Sequence, residues 1–86
     1  MNGVTVYRKE VTEIGEVFKG PKGPVTFGYQ SSRNAFCLWF EAGQPMEEEF
    51  MVVGTGHPPA PEGFRLIAST VMPDGFYTFH LLKKES

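Results

Sequence analysis

Gly54-Thr55-Gly56-His57-Pro58-Pro59 is the stretch whose residue types could do chemistry. Glycines at the end of an apolar strand permit conformations that turn successive amides toward an anion, and His57 adds a titratable donor. Such a loop could hold a phosphate. It is not a dinucleotide fingerprint, because the third glycine is missing and Pro58-Pro59 occupies the place of the helix start that would hold a pyrophosphate. The alternative is a tight loop whose histidine packs or caps backbone groups. His80, between Phe79 and Leu81 in an alternating segment, reads as structural.

The remaining reactive side chains do not make a catalytic set. Cys37 is the single cysteine and lies inside Phe36-Cys37-Leu38-Trp39, where desolvation would raise its pKa, so an inert structural thiol is expected. His57 and His80 form no closely spaced pair, and a metal site built with Cys37 would depend wholly on folding to assemble it. Glu47-Glu48-Glu49 is the densest acidic run, but consecutive residues entering a strand point to different faces and make no preset carboxylate pair. A solvated edge is the simpler reading. The chain is therefore expected not to be an enzyme and to carry no cofactor or metal. Trp39 and Arg65 complete the candidate contact residues with Gly54, Thr55, Gly56 and His57, because Trp and Arg are enriched at binding hot spots. Arg65 should alternate outward beside Phe64 and Leu66, within reach of the Glu run.

Composition narrows the partners. Eight basic against ten acidic side chains give a formal charge of −2, too little positive field for generic nucleic-acid binding. Met1 to Glu10 alternate without a basic flank and apolar run, and no stretch approaches a membrane helix, so neither export nor membrane insertion is expected. A lone cysteine suits a reducing cytoplasm. With 41% hydrophobic residues and 86 residues in all, one small domain with a modest core is expected over the whole chain.

Period-two alternation positions these residues. Strands are expected around Val4 to Lys9, over Val25 to Gln30, Ala35 to Phe40, Glu49 to Thr55, Phe64 to Val71 and Phe76 to Leu82. Ser31-Ser32-Arg33-Asn34 reads as a four-residue hairpin loop, and Met72-Pro73-Asp74-Gly75 as a type I turn with a left-handed glycine. Val11 to Phe18 is read as extended, since Gly15 and the β-branched residues oppose a helix. The tandem Lys-Gly-Pro of residues 19–24 predicts an exposed loop. The fold class is mainly β: a single small antiparallel sandwich or barrel-like domain of about six strands. Phe36 to Phe40, apolar on both faces, suits either a strand covered on both sides or an interface with a second copy of the chain.

Cys37-Leu38-Trp39, Phe50 with Val52-Val53-Gly54-Thr55-Gly56-His57-Pro58, Gly63 to Ile67, Pro73-Asp74-Gly75 and Phe79-His80-Leu81 follow one another in an order that resembles a family of small uncharacterised proteins of tailed phages and prophages. The likeness covers the C-terminal half and the first strand around Tyr7-Arg8; the Lys-Gly-Pro segment and Val25 to Gln30 depart from it. What the resemblance implies is origin: a phage accessory protein in the cytoplasm of a bacterial host. By analogy with such proteins, the expected role is to bind a host protein, as an inhibitor of a defence system such as a CRISPR complex. The competing expectation is a small-ligand binder that sequesters a nucleotide immune signal through Gly54 to His57.

Overall fold

The computed structural model describes residues 3–85, so what the opening alternation says of Met1 and Asn2 lies outside the described residues. Seven strands follow one another: β1 (Val6–Val11), β2 (Phe18–Gly20), β3 (Val25–Gln30), β4 (Ala35–Glu41), β5 (Glu48–Gly54), β6 (Phe64–Val71) and β7 (Thr78–Lys84). They form a three-stranded sheet in the order β1-β4-β3 and a four-stranded sheet in the order β2-β5-β7-β6. Every pairing is antiparallel. Of the two expected architectures the chain takes the sandwich-like one, because the sheets remain separate and do not close into a barrel. Among the described residues there is no helix, and so none long and apolar enough to cross a membrane.

Alternation explains the layers. Phe36, Leu38 and Phe40 occupy one face of β4 and meet Phe27 of β3, Phe50 and Val52 of β5 and Leu81 of β7 in one core cluster. Leu38, Phe50, Val52 and Leu81 are fully buried. Phe36 stacks on Phe27 within its own sheet, 5.8 Å between centroids, and reaches Phe79 of the other sheet at 4.7 Å.

The two hairpins form as their turn residues require. Amides of Arg33 and Asn34 donate to the carbonyls of Gln30 and Ser31, and Asn34 takes the left-handed φ of 52° that its short polar side chain tolerates. At the other hairpin, the Gly75 amide donates to the Met72 carbonyl with Gly75 at φ 78°, while the Asp74 carboxylate accepts from the Phe76 amide at 2.9 Å. That bond holds Phe76 and Tyr77 in the loop, so β7 starts at Thr78 and not at Phe76 as alternation predicts.

Three further expectations change. Val11 to Phe18 is extended only at its ends; Ile14-Gly15 turns, with Gly15 at φ 85° and its amide bonded to the Val52 carbonyl. The Lys-Gly-Pro segment is not simply an exposed loop. Lys19 and Gly20 belong to β2, and Gly20 and Pro21 are buried. A Cβ at Gly20 would stand 2.5 Å from the Phe50 ring, so the missing side chain is what admits that ring, and the Lys22 amide ties the following turn to the Pro45 carbonyl. Arg65 does reach solvent, but it pairs with Glu85 at 2.9 Å; Lys83 and Lys84 meet Glu48 and Glu49 instead.

Strand register also defines the outward faces. On the four-stranded sheet, successive rows across β5, β7 and β6 read Glu49-Lys84-Phe64, Met51-Leu82-Leu66 and Val53-His80-Ser69. An irregularity between Leu66 and Ala68 keeps this pattern in phase, turning Ala68 toward the core opposite Leu81 while Leu66 and Ser69 face out.

Candidate functional site

The Gly54–His57 turn ends β5 beside the β6–β7 hairpin loop. Gly56 takes φ 82°, a conformation that glycine adopts without strain. His57 folds back over the turn: its amide donates to the Gly54 carbonyl, and its Nδ1 accepts from the Gly54 amide at 3.0 Å. A Cβ on Gly54 would lie 2.8 Å from His57 Nε2, so only glycine leaves room for the imidazole there. The ring then packs edge-on to Phe79, 6.2 Å between centroids, and Phe79 in turn leans on Phe36. The turn is thus anchored to the aromatic core through one histidine.

This arrangement uses three of the donors that an anion would need. The amides of Gly54 and His57 are bonded within the turn, and that of Thr55 donates to the Thr78 carbonyl. The backbone capping weighed from sequence as the alternative role for His57 is what the geometry supplies.

His80 faces the other side of the same sheet. Its Nε2 lies 2.7 Å from Thr55 Oγ1 and its Nδ1 2.7 Å from Ser69 Oγ, a hydroxyl–imidazole–hydroxyl row across three strands. Thr55 Oγ1 also donates to the Thr78 carbonyl at 3.2 Å. With that proton committed, Nε2 carries the ring hydrogen and Nδ1 accepts from Ser69. Ser69 is the member that alternation alone did not mark.

Next to the turn is an open groove of about 420 Å³, lined by Gly54, Thr55, His57 and the segment Phe76 to Phe79. Its rim carries Phe76, at 84% the most exposed large apolar side chain among the described residues, and Tyr77 at 65%. Sequence reading missed both, having assigned them to a strand. The available signal was position: they directly follow a Pro-Asp-Gly turn, where a ring has no neighbouring strand to cover it.

The other candidates lie elsewhere. Trp39 is half-buried on the outward face of the three-stranded sheet, opposite Arg8 and Thr26, so it belongs neither to the core nor to the groove. Arg65 stands at the far end of β6, where Phe64 pairs with Lys84, whereas Gly54 pairs with Phe79. Cys37 is fully buried between Glu10 and Gly28 on the outward face. Burial pushes its pKa up, Glu10 adds to that, and Arg8 and Arg33 oppose it. Among the described residues no group of three or more His, Cys, Asp or Glu side chains is placed to hold a metal ion.

A family model described as a domain of unknown function (DUF7352) matches residues 4–86. The match runs through the Lys-Gly-Pro segment and β3 as well as the C-terminal half. No curated protein and no solved structure matches the chain.

Proposed function

The chain belongs to the DUF7352 family, and from its surface we propose that it is a non-enzymatic accessory protein that binds a host protein through the β6–β7 hairpin tip. One observation carries this reading: Phe76 and Tyr77 are held side by side, 84% and 65% exposed, on a loop pinned by the Asp74 side chain. Two neighbouring exposed aromatic rings on a backbone held by a hydrogen bond offer a large contact area, which is the character of a binding hot spot. The groove beneath supplies relief for a partner side chain. A phage or prophage origin, a bacterial cytoplasm as the place of action and inhibition of a host defence system are parts of the same proposal, supported by the resemblance in the C-terminal half.

Photo-crosslinking from position 76 in host cells tests it. One host protein should be captured by the intact tip and lost from a Tyr77→Ala variant that retains the circular dichroism of the parent; crosslinking that ignores Tyr77 would overturn the assignment.

The volume of the groove favours a second reading, because about 420 Å³ falls in the range of small-ligand sites. A nucleotide signal would stack on Phe76 or Tyr77 with its phosphate toward Gly56 and His57. The internal use of the Gly54, Thr55 and His57 amides counts against it. Binding of a cyclic dinucleotide by calorimetry, abolished in His57→Ala, would favour this reading over the first.

A further inference from the structure

We infer that Asp74-Gly75 is a self-modification site, at which the chain rearranges through a cyclic imide to isoaspartate and so releases the aromatic tip. Asp74 is the single aspartate of the chain, and glycine follows it. Such an imide forms when the backbone nitrogen after an aspartate attacks the side-chain carboxyl carbon, and a side chain on that next residue ordinarily stands in the way. Gly75 has none, and nothing lies within 4 Å of the place a Cβ would take. Both residues are exposed, so water reaches the reacting atoms.

The fold adds proximity. The 2.9 Å bond from the Phe76 amide to Asp74 Oδ1 closes a ring of atoms that includes both Asp74 Cγ and the Gly75 nitrogen, keeping the carboxyl over the peptide it must meet. The Gly75 amide first leaves the Met72 carbonyl, so a brief opening of the turn precedes the attack. In the acid form of Asp74 the Gly75 N–Cγ bond then forms as the Cγ–OH bond breaks, and the amide proton departs with that hydroxyl as water. Water adds back at either carbonyl of the imide. Addition at Cγ restores aspartate, whereas addition at the main-chain carbonyl gives isoaspartate, whose backbone runs through the former side chain. The main chain of the turn is thereby lengthened and the carboxylate drawn closer to it, which takes away the acceptor that pins Phe76. That this weakens partner capture rests on the reading of the tip as the contact site.

Ageing the purified chain at neutral pH, followed by peptide mass spectrometry with electron-transfer fragmentation, reads this directly. The tryptic peptide from Leu66 to Lys83 should accumulate isoaspartate at position 74 with no change of mass, apart from anything formed at Asn2-Gly3, which lies on another peptide. Gly75→Asn, whose side chain tolerates the positive φ, should slow the reaction severalfold, and Asp74→Ser, which keeps an acceptor for the Phe76 amide, should abolish it. In the isomerised chain, isolated by chromatography, the Phe76 amide should exchange its hydrogen faster while the amides of β4 keep the parent's rates. The inference is overturned if the folded chain retains its aspartate over a period in which the urea-unfolded chain converts, or if the isomerised chain protects the Phe76 amide as the parent does. Photo-crosslinking from position 76 separates the two readings: a parent chain that captures nothing defeats the binding reading alone, and an isomerised chain that captures as well as the parent defeats the release of the tip.

Discussion

The two sheets share one core yet present opposite kinds of outer surface. On the three-stranded sheet, polar side chains reach across strands: Arg8 donates to Gln30 at 3.2 Å, and Arg33 lies 3.9 Å from Glu10. Gln30 Oε1 lies 3.8 Å from Cys37 Sγ and the Trp39 ring lies against Gly28, the residue paired with Cys37, and the thiol is fully buried although its position points outward. On the four-stranded sheet, short hydroxyls and an imidazole form one row and aliphatic side chains form the next. The first face is finished against water by the chain's own cations and amides. The second has its polar groups satisfied but its apolar groups uncovered, so alternation fixes where a side chain points without fixing what completes the surface there.

The largest effect that separates shared from unshared structure is at the core. Phe50→Ala should cost about 3–5 kcal/mol by urea denaturation and should unfold both sheets in a single transition. Two transitions would mean that the sheets are stabilised independently and that the comparison is between two units. An intermediate effect sharpens the contrast of the outer faces. Trp39→Ala, which removes a half-buried ring lying against Gly28, should cost about 1–2 kcal/mol, whereas Leu66→Ala should stay within about 0.5 kcal/mol; equal losses would erase the distinction.

The smallest effect is with pH. Because burial raises the Cys37 pKa in the folded state, the folded protein holds its thiol proton at a pH where the unfolded chain has released it. Stability is therefore unaffected below the ordinary thiol range and declines as pH rises through it and above. Cys37→Ser should flatten that alkaline decline in a chemical denaturation series; an unchanged slope would assign it to other groups. Alkylation of the folded thiol at neutral pH should also be slow compared with the unfolded chain.

Much of the fold was legible because its signals are local. Pro73-Asp74-Gly75 specified one hairpin and Ser31 to Asn34 the other, and the alternation of β3 placed Val25, Phe27 and Tyr29 on one face, whereas β4, apolar on both faces, did not say which of its side chains turn to the core. β2 escaped notice since a three-residue strand containing Gly20 has almost no propensity of its own; it exists because Phe50 needs a neighbour without a side chain. The candidate turn was legible as a turn, but the partner of His57 was not, for a histidine capping the amide three residues before it looks in sequence like one awaiting a ligand. Phe76 and Tyr77 were hidden by their resemblance to the start of a strand, and Trp39 by lying in a run apolar on both faces.

The order in which the chain visits its layers has a kinetic consequence. Strands β1, β3 and β4 build one sheet and β2, β5, β6 and β7 the other, so the first twenty residues give one strand to each. Neither can pair until distant chain arrives: Val11 waits for Phe36, and Gly20 for Glu48. Closing those long loops costs entropy before any pairing repays it, while the two hairpins close over loops of four and six residues. The amino-terminal strands are consequently the last stitches of the fold, and the hairpin that carries the aromatic tip is among the first parts able to form.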